Sequence, residues 1–288
     1  MSNTWQKTRR WMGIVLIVAA LALLAGLGAN RLAERRTQQE SIRETPATPK
    51  SPSEPATLGE ALTMAREALD WIERNVRDYS AIIIKRERSG HSFSETAMFA
   101  KIREKPFSVY LHFLGQGNDT SVKGREVIYV QGRNDNKLIV HTPGFIGSAL
   151  GTRYLDPNGF IAMLGQRHPI TDIGLANLCR QLIERGEAIS DPSQARVRRY
   201  LHARINTRAC TLLEITYPVH EPDKWGYLVR VFVDNQWRLP IRVEVYDLPL
   251  DRSKGPQLAE EYTYLELKIN NGYTDADFDP KDPQYRFR

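Results

Sequence analysis

Between Val122 and His141 the sequence reads as a β-hairpin, and this unit confines the chain to a sheet-dominated fold. Glu126–Tyr129 and Leu138–His141 carry the β-branched and aromatic residues that suit a pleated, half-buried surface. Between them Gly132-Arg133-Asn134-Asp135-Asn136 gathers residues that tolerate tight or left-handed backbone. Apolar residues alternate in similar runs on both sides. Tyr79–Arg88, Ser94–Arg103 and Phe107–Leu114 read as strands before the hairpin. Val197–Ile205, Cys210–Tyr217, Tyr227–Asp234, Ile241–Asp247 and Leu258–Lys268 read as strands after it.

Two helical patterns interrupt the strands. Thr57 with Glu60 three residues on makes a capping box, and Leu58, Leu62, Ala65, Leu69, Ile72 and Val76 form one apolar stripe down to about Arg77. A second helix, capped by Thr171 or Asp172, carries Leu175, Leu178, Leu182 and Ile183, with Gly186 as its expected C-terminal cap. Pro143 to Gly165 is glycine-rich, with a short helix after Asp156-Pro157. The expected class is α+β: a long, curved antiparallel sheet, a half-open barrel covered by helices.

Ahead of that domain (residues 57–288) lie three segments. Residues 1–10 form a short basic tail, with Lys7, Arg9 and Arg10. Residues 11–29 contain no charge, and Met12–Ala29 is almost wholly apolar residues and glycine. About 20 such residues span a bilayer as a helix. Two readings fit: an uncleaved transmembrane anchor, or a signal peptide cleaved near Gly26-Leu27-Gly28. Residues 30–56 place Pro46, Pro49, Pro52 and Pro55 among polar residues. As a flexible coil that linker reaches roughly 30 Å.

The 40 basic residues nearly match the 34 acidic ones, for a net charge of +6. Such a mixed surface calls for no nucleic acid. The six histidines are scattered without metal-ligand spacing, and no nucleophile elbow, phosphate-binding loop or zinc-helix motif occurs. No catalytic residue, metal or cofactor is expected. Asp275, Asp277 and Asp279 alternate like the start of a calcium loop, but its glycine and closing glutamate are missing. Arg196, Arg198 and Arg199 are a candidate for phosphate headgroups, although strand alternation alone accounts for Arg196 and Arg198. Cys179 and Cys210 are either a disulfide between helix and strand or two separately buried thiols.

The apolar positions carry more information. An antiparallel sheet capped by helices either encloses an apolar cavity or fills it with its own side chains. The candidate inward-facing residues are Val109, Leu111, Phe113, Val229, Val231, Ile241, Val243 and Val245. Arg125, Arg167 and His168 are placed to meet a ligand headgroup or a partner.

The order of several short pieces resembles a bacterial family of exported proteins, domain of unknown function 1571. They are Tyr79-Ser80-Ala81 with Lys85-Arg86-Glu87, Lys105 to Tyr110, Gly124 to Tyr129, Arg167-His168-Pro169-Ile170-Thr171 and Asp275-Ala276-Asp277-Phe278. That family is similar to the LolA-type fold of lipoprotein carriers and periplasmic sensors, in which a half-open barrel holds acyl chains. The resemblance implies a non-catalytic domain binding lipid or lipoprotein acyl chains, tethered by one span of the inner membrane with the C-terminal domain in the periplasm. The alternatives are release to the periplasm after signal cleavage, and an envelope protein-interaction or sensor module with a filled cavity. A hydrolase is the remaining alternative. Soluble carriers of this type are released, so an N-terminal anchor departs from the pattern.

Overall fold

The structure is a computed structural model describing residues 47, 49, 51–90, 92–115, 121–144, 151–189, 191–217, 226–248 and 255–287. The expected N-terminal span, residues 11–29, lies outside the described residues. Among the described residues no helix is long and apolar enough to cross a membrane.

Twelve strands form one sheet: β1 (Glu54–Ala56), β2 (Asp78–Ser89), β3 (Ser92–Arg103), β4 (Ser108–Phe113), β5 (Glu126–Val130), β6 (Leu138–His141), β7 (Arg153–Leu155), β8 (Arg196–Ile205), β9 (Arg208–Thr216), β10 (Leu228–Asp234), β11 (Pro240–Asp247) and β12 (Gln257–Ile269). Their order is β1-β8-β9-β10-β11-β12-β2-β3-β4-β5-β6-β7, and every pairing is antiparallel. β1 and β7 are unpaired edges, so the barrel does not close. Both edges are only three residues long, and Pro55 removes a donor from one of them.

The expected strands form with ends shifted by a residue or two. β1 is an addition: the last three residues of the expected linker pair with Arg199, Arg198 and Val197 of β8. Periodicity gives no signal in so short a run. The Ser53 amide extends the pairing by donating to the Arg199 carbonyl at 2.8 Å.

α1 (Leu58–Asn75) starts at the expected capping box, with Glu60 N–H donating to Thr57 Oγ1 at 3.2 Å and Thr57 N–H to Glu60 Oε2 at 2.7 Å. Its buried line runs through Leu58, Ala68 and Ile72, leaving Leu69 half-buried. α2 (Phe160–Met163) is a single turn, and α3 (Leu175–Glu187) is the second long helix. Arg66–Glu187 at 2.5 Å and Arg180–Glu73 at 2.7 Å lay α3 antiparallel to α1.

The two expected caps of α3 are corrected. Residues Ile170–Asp172 form a separate 3-10 turn, and α3 begins after Gly174. Buried tyrosine hydroxyls satisfy its first amides: Leu175 N–H donates to Tyr79 Oη at 2.8 Å and Gly174 N–H to Tyr264 Oη at 3.1 Å. Gly174 is required there, since its φ is +113° and a Cβ would lie 2.9 Å from Tyr79 Oη. Gly186 is inside the last turn rather than beyond it. Its missing Cβ lets Leu62 of α1 approach.

The C-terminal segment seals part of the outer face. Phe278 and Tyr285 pack on Tyr110, Ile128 and Val130 of β4 and β5. Lys101 Nζ sits 5.3–5.8 Å from the rings of Tyr110, Tyr273 and Tyr285, a cation among three π faces. The alternating aspartates are all engaged in protein contacts. Asp275 pairs with Arg103 and Arg133, Asp277 with Lys101, and Asp279 accepts the Lys281 amide.

Candidate functional site

The inner face of the sheet divides into two halves. One register row runs Leu213–Val231–Val243–Tyr262–Lys85–Thr96 from β9 to β3, and the next runs Ile215–Val229–Val245–Glu260–Glu87–Ser94. Each row is apolar beneath α1 and α3 and becomes polar at β12. The helices fill the first half and leave only a void of about 50 Å³ between α1, α3 and β9–β11. Beyond β12 the sheet curls around a cavity of about 640 Å³. Residues of seven adjacent strands, β12 and β2 to β7, line that one space, which a flat sheet does not allow.

The cavity wall is largely aliphatic. Ile83, Met98, Leu111, Phe113, Val127 and Leu138 supply the sheet side, and Ile161, Ile170, Ile173 and Leu178 the cover. Strand alternation places these sheet residues, since Leu111 sits opposite Ala100 and Val127 on one face while Tyr110 and His112 take the other.

One wall is charged. Glu87 on β2 and Glu260 on β12 sit opposite each other, each about 3% exposed. Lys85 Nζ lies 3.0 Å from Glu87 Oε2 and also donates to the Gln166 side-chain oxygen Oε1. Tyr262 donates its hydroxyl to Glu87, and the Arg167 amide donates to the same carboxylate at 3.3 Å. Glu260 Oε2 meets His168 Nε2 at 2.9 Å and Arg167 Nε at 3.1 Å. Burial, and then the neighbouring Glu87 and Glu260 charges, drive the Tyr262 pKa far above that of a free phenol, so it stays a donor. Buried carboxylates are tolerable only when paired and hydrogen-bonded in this way.

The expected site residues therefore separate. Leu111 and Phe113 line the large cavity, as does Arg125, whose guanidinium lies 5.8 Å over the Phe113 ring. Arg167 and His168 belong to the charged wall, with His168 also lining the cavity. Val229 and Val231 line the small void under α1, while Val109, Ile241, Val243 and Val245 are buried outside both spaces. Arg199 faces Glu54 at 2.7 Å and Glu60 at 3.7 Å, and Arg198 lies 3.6 Å from Glu214.

A disulfide is corrected to two buried free thiols. Cys210 shares its strand face with Glu214, the face opposite Leu213 and Ile215, whereas α3 bearing Cys179 packs on the Leu213 side. Burial pushes the Cys179 thiol up to about 12 and the Cys210 thiol to about 11.

Lys85, Glu87, Glu260 and Tyr262 escaped the sequence reading. Their signal was parity: Lys85 and Glu87 continue the inner face that Ile83 begins, so a charged pair points where an apolar one is expected.

The outer face carries a register row of its own, Arg198–Glu214–Arg230–Glu244–Glu261–Arg86–Glu95, across β8 to β3. Arg230 reaches Glu214 at 2.8 Å, and Arg86 reaches Glu261 at 2.9 Å and Glu95 at 2.7 Å. The two adjacent glutamates are bridged by Arg242, 2.7 Å from Glu244 and 2.8 Å from Glu261.

Among the described residues no cluster of three or more His, Cys, Asp or Glu side chains is arranged to hold a metal. The charged wall instead gives an apolar cavity one polar side, suited to holding an amphipathic molecule in a fixed orientation.

Residues 76–287 match a family model described as "Protein of unknown function (DUF1571)". No curated protein matches the chain. Among solved structures it is similar to the Mycobacterium tuberculosis lipoprotein LppX, at 14% identity and a TM-score of 0.42 over 77% of this chain and 99% of that one. It is also similar to a LolA superfamily protein from Nitrosomonas europaea, at 12% identity and a TM-score of 0.29 over 78% and 98%. The Pseudomonas aeruginosa MucA/MucB complex matches at 16% identity and a TM-score of 0.37, over 74% of this chain and 60% of that one.

Proposed function

Because this chain belongs to the DUF1571 family, whose function is unknown, we propose a function from its own cavity: non-catalytic binding of lipid or lipoprotein acyl chains. The domain does so while tethered to the periplasmic face of the inner membrane by residues 11–29. The observation that carries the reading is the aliphatic cavity of about 640 Å³ with one charged wall. Its size falls within the roughly 300–1,000 Å³ of ordinary ligand sites. Ten buried methylenes contribute about 8 kcal/mol at about 0.8 kcal/mol each. Before losses of ligand freedom, that corresponds to a Kd on the order of 1 μM. The apolar end of the ligand occupies the space between Leu111, Val127 and Ile173, and its polar end lies at Lys85, Gln166 and His168.

The test uses the full chain in lipid nanodiscs with a fluorescent fatty acid. Leu111→Phe and Val140→Trp, at two positions that line the cavity on β4 and β6, each fill it and are expected to weaken probe binding at least tenfold without lowering Tm. Overpacking a solid core instead destabilises by about 1–3 kcal/mol. A wild type that binds no acyl probe, with both variants destabilised, sinks the reading in favour of a filled protein-interaction module.

A further inference from the structure

We propose that the turn containing α2 is a bilayer-docking tip that seats the cavity mouth on the membrane, a second contact distinct from the N-terminal span. This inference rests on the tethered, acyl-binding reading above. Large exposed apolar side chains are concentrated here: Tyr154 is 55% exposed, Phe160 81%, Ile161 66% and Leu164 67%, and the other such residue among those described, Leu201, is 39% exposed.

The tip is built rather than frayed. Pro157 anchors it by burial. The Gly159 amide donates to the Asp156 carbonyl at 2.9 Å, Met163 N–H to Gly159 O at 3.0 Å, and Gln166 N–H to Met163 O at 2.9 Å. Gly165, at φ +72°, turns the chain back toward the charged wall. Ile161 and Ala162 on the same turn line the cavity, so the exposed patch and the cavity mouth are continuous.

Charge and area choose the occupant. Between Arg153 and Pro169 the one acidic residue is Asp156, whose carboxylate accepts the Asn158 amide at 2.9 Å; exposed Arg153 stands beside it, while Arg167 is already paired with Glu260 at 3.1 Å. An apolar tip with no net negative charge suits a lipid surface, with its apolar side chains in the acyl boundary and the Arg153 guanidinium among headgroups. Four side chains present on the order of 400 Å². That is well short of the roughly 800 Å² per partner of a stable protein interface. A patch this small binds weakly on its own. The proposed tether raises the effective concentration of the membrane surface at the domain, which is enough for weak docking.

The experiment reconstitutes the full chain into vesicles of phosphatidylethanolamine and phosphatidylglycerol. An environment-sensitive dye is attached at Asn158→Cys beside the tip or, as control, at Thr207→Cys in the β8–β9 turn; both positions are exposed. Lipids spin-labelled on their acyl chains are expected to quench the dye at 158 several-fold more than at 207. Combining Phe160→Ser, Ile161→Ser and Leu164→Ser should bring the two to the same level. Equal quenching at both sites in the parent chain overturns the proposal. A dye at 158 that is shifted to the blue yet untouched by the lipid quencher also overturns it, because a protein surface then covers the tip. A chain that does not float with the vesicles overturns docking and tether together. Fatty-acid binding on the same samples separates the readings: acyl binding with an unquenched 158 ends docking alone, and quenching without acyl binding ends the cavity reading alone.

Discussion

The hydroxyl of Tyr79 accepts the backbone N–H of Leu175 at 2.8 Å, so a residue at the start of β2 caps a helix 96 positions later. Both residues are fully buried, and no solvent is available to replace the bond. Burial raises the Tyr79 pKa well above its ordinary value, which keeps the hydroxyl neutral while its oxygen accepts.

Tyr79→Phe is therefore expected to destabilise the fold by about 1–3 kcal/mol, the penalty for an unpartnered buried amide. Urea denaturation measures this, and hydrogen exchange at Leu175 should accelerate more than elsewhere in α3. An unchanged midpoint and unchanged exchange would show that the hydroxyl is not the cap.

Gly186 leaves room for the Leu62 side chain of α1 against α3, since a Cβ there would lie 2.6 Å from Leu62 Cδ2. Gly186→Ala should lower stability by about 1–3 kcal/mol through overpacking, even though alanine is the better helix former. Leu62→Ala makes room, so the double variant should lose less than the sum of the two single losses. Additive losses in a double-mutant cycle would refute the contact.

The two thiols give a pH dependence with a definite sign. A free thiol ionises near 9, whereas burial holds Cys179 protonated to about 12. Above pH 9 the unfolded chain releases a proton that the folded chain keeps, so stability falls as pH rises toward 12 and is unaffected by this group below 9. By pH 10.5 the loss from Cys179 is about 2 kcal/mol at 1.36 kcal/mol per unit. Cys179→Ala should flatten that alkaline slope in denaturant titrations. Iodoacetamide at pH 8 should modify neither thiol in the native protein and both after unfolding, and rapid native alkylation would contradict their burial.

How much was legible in the sequence follows from the range of each interaction. The capping box of Thr57 and Glu60 spans one turn, and strand alternation over Ser108–Phe113 spans six residues; both emerge where expected. β1 is too short to show a period, and it forms because β8 offers an open edge. Gly186 reads as a helix stop until Leu62, 124 positions away in sequence, is seen against it. The charged wall draws on Lys85, Gln166 and Tyr262, whose proximity depends on a β2–β12 pairing that no local pattern encodes. The same distance effect misplaced part of the expected cavity. Val231 and Val243 have the right parity but lie in the half of the sheet that α1 and α3 cover, so enlarging them tests core packing rather than ligand space.

The row of alternating arginines and glutamates on the outer face acts as a spelling check on strand registration. A slip of two residues between β9 and β10 preserves the pleat and keeps apolar side chains inward, so hydrophobicity barely opposes it. The slip would set Glu214 opposite Phe232 or Leu228 instead of Arg230, removing the 2.8 Å partner of a carboxylate that is only 7% exposed and leaving it Arg198 at 3.6 Å. Losing the closer partner of a desolvated carboxylate opposes the slip. The same row crosses seven strands and includes the β2–β12 pair, drawn from opposite ends of the domain, where Arg86 faces Glu261; a slip there separates that ion pair as well. A sheet with two open edges thus carries part of its assembly instructions on the side that faces away from the cavity.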